Sequence, residues 1–276
     1  MFIGLEKEYQ DFKKLFFEYS ENYFLNIQNQ CPEVLWQSMK YSFDSGGKRF
    51  RPFLSYLVAK TYSIDPKKIM SLALACEFVH TYSLIHDDLP CMDNDDFRRG
   101  QPTNHKKFGD DIALLAGDAL QSQAFQCLAA DAQNSAELKI QVINIFSELI
   151  GANGMIAGQV LDMKSNSETN LTQLENIHRR KTGDLISVAV TGAAIFCDIL
   201  DTQKLKIFSD HLGLAFQIKD DLLDGLDGAQ DHKSYLKILG TEKTKEKLAE
   251  YSALAADATD SEFLKKIIQF NMSRVK

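Results

Sequence analysis

Apolar residues along this chain recur at helical intervals, and the long Val/Ile/Thr alternations that mark strands are scarce. The periodicity predicts about ten helices, over residues 4–29, 33–44, 48–61, 66–89, 110–131, 136–155, 171–197, 202–226, 233–256 and 260–272. Start signals support several of them. Asp65-Pro66 sets a cap before a proline at the first helical position. Thr172-x-x-Glu175 and Thr259-x-x-Glu262 have capping-box spacing. Two polar stretches, 91–110 and 225–232, hold glycines and prolines or glycines and aspartates and read as non-helical. No linker, repeat or low-complexity tract divides the chain, so the expectation is one all-α domain over 1–276, a single-domain helical bundle.

Composition narrows the function. The 276 residues are 45% hydrophobic and 25% charged, as in a soluble globular protein, and the net charge of -7 argues against a nucleic-acid partner. Five cysteines with no C-x-x-C pair point to reduced thiols in a cytoplasmic protein, not to a disulfide framework or a zinc site. Met1 to Glu8 has acidic residues and no apolar core of a signal peptide. The most apolar stretch, Leu185 to Leu200, is interrupted by Ser187, Thr191 and Asp198; it reads as a buried helix, and no stable membrane insertion is expected.

Chemistry concentrates in two acidic clusters. Asp87-Asp88-Leu-Pro-Cys-Met-Asp93 ends an apolar helix, and Pro90 stops that helix, which lets Asp93 return toward Asp87. His80 and Ser83 lie on the Asp87 face. In Gln217-Ile-Lys-Asp220-Asp221-Leu-Leu-Asp224, a step of about 100° per residue aligns Asp220 with Asp224, puts Gln217 close to that face and turns Asp221 aside. Crowded carboxylates repel one another unless a cation is present. Hard oxygen ligands of this kind suit Mg²⁺, which keeps waters and binds substrate phosphates. A solvated acidic helix end explains one such pair; it explains two poorly.

Cationic groups complement them. Gly46-Gly47-Lys48-Arg49-Phe50-Arg51 sets Lys48 and Arg51 one turn apart, Arg98-Arg99 follows the first cluster, and Lys181-Thr182-Gly183 interrupts a long helix. Arginine forks and lysine charges match phosphate oxygens.

These motifs, in this order, closely resemble those of the short-chain trans-prenyl diphosphate synthases of the bacterial and plastid type. The resemblance covers nearly the whole chain, from Gly46–Pro52 through Ser83–Asp93, Phe97–Gly100 and Ile177–Gly183 to Gly213–Asp224. It implies an isoprenoid-synthase-type bundle around a central cavity and a homodimer. It also implies isopentenyl diphosphate and an allylic diphosphate as substrates, with Mg²⁺ as cofactor. Residue by residue, Lys48, Arg51, His80 and Arg99 resemble the isopentenyl diphosphate site. Asp87, Asp93 and Asp220 resemble metal ligands, to which helical geometry adds Asp88 and Asp224. Arg98, Lys181, Thr182, Gln217 and Lys233 resemble contacts to the allylic diphosphate. Asp87, Asp93, Lys181 and Asp220 are then the catalytic set. Tyr82 and Ser83 correspond to the floor of the family's tunnel, where a bulky Tyr82 implies a C15 product, farnesyl diphosphate; geranyl and geranylgeranyl products are the alternatives. The implied reaction needs no side-chain nucleophile: pyrophosphate departs, the allylic cation is attacked by the isopentenyl double bond, and a proton is lost.

One departure is visible. The family's longer loop after the second cluster is cut to residues 225–232, one of its lysines is absent, and matching Lys233 to the other requires a deletion. Other classes fit less well. Glu77-x-x-His80 and Glu175-x-x-His178 are the two Glu-x-x-His motifs of a di-iron bundle, which leaves the aspartates unexplained. A terpene cyclase leaves Gly46–Arg49 unexplained. A non-catalytic partner subunit sits poorly with intact acidic clusters. His86, His105, His178, His211 and His232 read as structural or exposed, and Met155 and Met163 as core packing.

Overall fold

The computed structural model describes residues 2, 4–200, 202–226 and 233–275. Its helices run in the order α1 (Glu6–Gln28), α2 (Glu33–Asp44), α3 (Phe50–Thr61), α4 (Met70–Asp87), α5 (Asn104–Phe108), α6 (Asp110–Ala129), α7 (Ala136–Ile150), α8 (Met155–Lys164) and α9 (Leu171–His178). There follow α10 (Asp184–Phe196), α11 (Gln203–Leu226), α12 (Tyr235–Leu239), α13 (Thr241–Asp257) and α14 (Glu262–Ser273). Among the described residues the strands are limited to a two-stranded antiparallel ribbon, β1 (Phe97–Arg98) with β2 (Gln101–Pro102). The all-α expectation therefore holds.

Two helices form the heart of the bundle. From Met70 to Val79 every residue of α4 is buried, and from Leu185 to Ala194 every residue of α10 is buried. Helices apolar all round belong in such a position. α4 packs on α3, α6 and α10, so its C-terminal Asp87 is carried on a rigid element. Polar atoms in this core are paired: Ser55 Oγ donates to the Ala189 carbonyl at 2.7 Å, and Ser209 Oγ reaches Ser187 Oγ at 3.2 Å. Phe2, Phe12, Phe24, Phe53 and Phe78 fill the side under α1; each buried side chain of this kind contributes about 1.5–3 kcal/mol. A separate small core of Leu174, Ala215, Ile218, Tyr235 and Leu248 holds α12 and α13 against α11.

Several boundaries differ from expectation. The helix predicted over 136–155 ends at Ile150, and a turn over 151–154 starts α8, which the periodicity did not reveal. The span 171–197 is one helix only in outline, because a π turn at Arg179–Gly183 splits it into α9 and α10. The span 233–256 breaks at Gly240. Within 91–110 there is a short helix, α5, whose Asn104 is anchored to Ser38 and Ser42. Asp65 caps a 3-10 turn as expected, but the box at α9 is formed by Asn170 and Gln173, and α14 is capped by Ser261. Of residues 225–232, Gly225 and Leu226 end α11 and the remainder lies outside the described residues.

Two helical stretches are long and apolar enough to cross a membrane, Pro66–Asp87 and Ala136–Lys164. The first is 78% buried inside the protein and the second 28%. The second comprises α7, α8 and the turn between them, and much of its apolar surface is uncovered.

Candidate active site

α4 ends where Pro90 prevents continuation, and the chain then folds back on itself. The Met92 and Asn94 amides donate to the Leu89 carbonyl, and the Asp93 amide donates to the Asp87 carbonyl at 2.8 Å. Asp93 thus returns beside Asp87, as expected. Burial pushes the Asp87 carboxyl up to about 6; Lys181 and Arg98 pull it down, while Asp93 and Asp88 push it further up. Gln159 Nε2 donates to Asp87 Oδ1 at 2.7 Å and fixes its rotamer. Asp88 is buried, and Arg98 Nε donates to both of its oxygens, at 2.8 and 2.9 Å. The hairpin at Arg99-Gly100, with φ of 53° and 76°, aims Arg98 at Asp88.

The second cluster divides similarly. Burial raises the Asp220 carboxyl, Arg274 lowers it, and Asp224 raises it again. Arg274, the residue after the end of α14, donates from one nitrogen to Asp220 Oδ1 at 2.6 Å and from another to the Phe216 carbonyl at 2.8 Å. Its guanidinium lies 4.1 Å above the Phe216 ring. Asp221 points aside, as helical geometry requires, and accepts the Tyr235 amide at 2.7 Å, which ties α12 to α11. Gln217 joins the two sides: it accepts Thr182 Oγ1 at 2.9 Å and donates to Asp221 at 3.3 Å. Asp224 is exposed at the end of the row.

Between the clusters lie two cavities. The first, of about 380 Å³, is a cleft walled by Lys48, Arg51, His80, Arg99, Gln217, Asp220 and Arg274. Gly46 and Gly47, with φ of 102° and 111°, make the turn that presents Lys48 and Arg51, and Arg99 donates back to the Gly46 carbonyl. Burial and Arg274 push the Lys48 ammonium down. Arg51 Nε is buried with no hydrogen-bond partner. His80 is held well below the usual imidazole range by burial and by Arg51, Arg99, Arg49 and Arg98, so it is neutral. Arg49 itself turns inward to Glu77 at 2.5 Å and leaves the cleft to its neighbours. An anion is what so many desolvated cations lack.

The second cavity, of about 530 Å³, is largely apolar. Tyr82, Ser83, Leu84, Leu89, Met92 and Leu114 line it with Met155, Ile156, Val160 and Met163, while Asp87, Lys181 and Thr182 are at its polar end. Tyr82 is only 5% exposed, so its ring is wall and not rim. Met155 is buried in the main core, as expected, and also borders this cavity; Met163, expected in the core, is 55% exposed and belongs to the wall. Arg51, His80 and Thr182 border both cavities. The size matches a small-molecule site.

The motif-derived residues therefore assemble around one pair of cavities. Lys181 sits on the π turn, an irregularity common at functional sites; its Nζ is 2.6 Å from Asp162 Oδ2. Lys233 Nζ donates to the Asp162 carbonyl at 2.7 Å. Gln159, Asp162 and Arg274 are site residues that sequence reasoning missed. The first two stand on the unpredicted α8; the third meets Asp220 only through the tertiary fold. His86 is structural, as expected, with Nε2 3.1 Å from the Leu114 carbonyl. His105, His178 and His211 are likewise engaged within the fold; His232 lies outside the described residues.

The polyprenyl synthetase family profile matches residues 32–276. The chain belongs to the polyprenyl synthetase family. Among its relatives, the farnesyl diphosphate synthase of Micrococcus luteus is 41% identical over 272 residues, 91% of this chain and 93% of the relative. The chloroplastic geranylgeranyl pyrophosphate synthase of Catharanthus roseus is 42% identical over 232 residues, 78% of this chain and 65% of the relative. In structure, the geranyltransferase from Legionella pneumophila superposes with a TM-score of 0.85 at 29% identity, covering 97% of this chain and 99% of the other.

Proposed function

We propose that this protein is a trans-prenyltransferase that joins isopentenyl diphosphate to dimethylallyl or geranyl diphosphate, releasing pyrophosphate, with farnesyl diphosphate as product. The observation that carries the reading is the junction of a basic cleft with an apolar cavity at Arg51, His80 and Thr182. One end suits a diphosphate, the other a hydrocarbon chain, and each carries an aspartate of one cluster, Asp220 in the cleft and Asp87 in the apolar cavity. Relatives of equal identity make different chain lengths by name, so overall identity does not choose the product; the Tyr82 wall supports C15.

In this reading Lys48, Arg51, Arg99 and neutral His80 bind isopentenyl diphosphate. Lys181, Thr182, Gln217, Lys233 and Arg98 orient the allylic diphosphate, whose chain enters the apolar cavity. The allylic C–O bond breaks with its electron pair leaving on pyrophosphate. The isopentenyl double bond then forms the new C–C bond, and the proton lost from the adduct passes to pyrophosphate. The cavity walls exclude water from the cation.

The acidic rim fits Mg²⁺. Among the described residues no three His, Cys, Asp or Glu converge tightly enough to hold a metal unaided. Yet Asp87 and Asp220 are half-buried carboxyls whose ionisation the neighbouring cations compensate only in part, so that burial still raises both. Mg²⁺ takes one or two protein carboxylates and completes its shell with water and phosphate. Asp87 and Asp93 on one side and Asp220 and Asp224 on the other would hold it, and when bound it neutralises the charge that builds on departing pyrophosphate. Asp88, whose oxygens are engaged by Arg98, acts through that arginine.

The uncovered apolar residues of α6, α7 and α8 that lie outside the cavity, Leu115, Ile140 and Leu161, support a homodimer. A cytoplasmic location is consistent with its free cysteines. The test is incubation with isopentenyl diphosphate and either allyl, with and without Mg²⁺. Farnesyl diphosphate formed only with the metal is expected; no product with both allyls overturns the reading. Tyr82→Ala should lengthen the product, and unchanged C15 output would remove Tyr82 from the argument.

A further inference from the structure

α8 carries Gly158, Gln159 and Asp162, none of which the activity proposed above assigns a role. All three approach the site. A Cβ on Gly158 would lie 2.3 Å from the Lys181 backbone nitrogen, so this helix seats directly on the π turn and only glycine permits it. Gln159 holds Asp87 at 2.7 Å. One turn from Gly158, Asp162 holds two lysines. Its Oδ2 is 2.6 Å from Lys181 Nζ; its carbonyl is 2.7 Å from Lys233 Nζ, with Oδ1 at 4.0 Å from the same nitrogen.

We infer that Asp162 is a positioning residue: it gathers Lys181 and Lys233 as a resting counter-ion and yields them to the allylic diphosphate. The inference rests on the reading of these lysines given above. Two ammonium groups brought to one spot repel, and each lysine stem gives up rotamer freedom when ordered. Asp162 meets both costs before substrate arrives. Its carbonyl lies in the last turn of α8, where the helix end is negative and attracts cations. The three side chains keep 25–31% of their exposure, so these pairs are weak and exchangeable. A diphosphate carries more charge and more acceptors than one carboxylate and displaces it readily. Lys181 also faces Asp87, whose carboxyl it pulls down, so its ammonium stands between the acidic rim and Asp162.

Two opposing outcomes are available to Asp162→Asn in the full chain. If Asp162 merely competes for the lysines, its loss tightens diphosphate binding. If it positions them, binding weakens. The expected result is a rise of about tenfold in both KM for the allylic diphosphate and the dissociation constant of inorganic pyrophosphate with Mg²⁺. KM for isopentenyl diphosphate should stay within about twofold, because Lys48, Arg51 and Arg99 do not touch Asp162. Lys181→Met, read by pyrophosphate binding, supplies the second arm, because the carboxylate lies 2.6 Å from Lys181 whereas Lys233 is held chiefly by the backbone carbonyl that Asn retains: in that background Asp162→Asn should lose most of its effect, and Asp162→Glu in the parent chain should recover part of it. Unchanged or tighter allylic and pyrophosphate binding overturns the inference, as does full additivity with Lys181→Met. A parent chain that binds pyrophosphate but makes no product overturns the proposed activity and leaves the role of Asp162 to be read from binding alone.

Discussion

Asp87 and Asp220 each face a cavity from the first position of an Asp-Asp pair, yet one is held by an amide and the other by a cation. Gln159 donates to Asp87; Arg274 donates to Asp220. The second members also correspond. Asp88 and Asp221 are both buried and turned away, Asp88 to the side chain of Arg98 and Asp221 to the backbone of Tyr235. Each pair therefore divides its labour between a group on offer to a ligand and a group that holds structure. The pairs differ in what the second aspartate holds: a cation of the site in one, a helix start in the other.

That difference predicts opposite failures. Asp88→Ala releases Arg98, so turnover should fall about a hundredfold with little change in melting temperature, the scale on which loss of one charge-stabilising donor is felt. Asp221→Ala strands the buried Tyr235 amide and should cost about 1–3 kcal/mol of stability, while turnover falls less than tenfold. Steady-state kinetics and denaturant melts on both variants check this. If Asp221→Ala loses as much turnover as Asp88→Ala at full stability, the division of labour is wrong.

The next test concerns the cation. A metal at Asp220 must share that carboxylate with Arg274, whereas a metal at Asp87 displaces only a neutral amide. Arg274→Ala should therefore tighten Mg²⁺ binding severalfold, by about 3- to 10-fold if the lost competition is worth about 1 kcal/mol. Gln159→Ala should leave it nearly unchanged. Calorimetric titration of Mg²⁺ into the two variants measures the contrast, and equal affinities would erase it.

How much of this was legible in the sequence follows the range of the interaction concerned. Asp220, Asp221 and Asp224 could be sorted by the helical angle alone, and the structure turns Asp221 aside as that angle requires. Pro90 announced the return of Asp93, and Lys181-Thr182-Gly183 announced the break that is the π turn. Arg274 gave no such sign, since it meets Asp220 from 54 residues away. α8 was lost for a local reason. Apolar residues continue through Ile150 into Met155 and Ile156, so the pattern runs across the turn at 151–154. The Asn153-Gly154 dipeptide is the turn signal that marks the break, and periodicity alone passes over it. With α8 unread, Gln159 and Asp162 had no element to stand on. The capping boxes slipped for a similar reason: Asn170 and Ser261 are each two residues from Thr172 and Thr259, and only the chain's entry angle decides between them.

The smallest effect sharpens the comparison through pH. Without metal, burial raises the Asp87 carboxyl from the ordinary 3.8 to about 6. Between those values the folded chain keeps a proton that the unfolded chain has released, so the wild-type protein loses stability as pH rises across the window and loses no more above it. Asp87→Asn removes that slope. The variant's stability relative to wild type should therefore grow from about pH 4 to about pH 6 and then level, by an amount on the order of 1 kcal/mol because the carboxyl retains some solvent. His178, which burial lowers to about 4, titrates in both proteins and cancels in the difference. Asp220→Asn should give a curve of the same sign but shallower, because Arg274 offsets part of the burial that raises Asp220. Melts in the presence of a chelator at half-unit steps would resolve the two slopes. Equal slopes would mean that the cation beside Asp220 does no more for its charge than the amide beside Asp87.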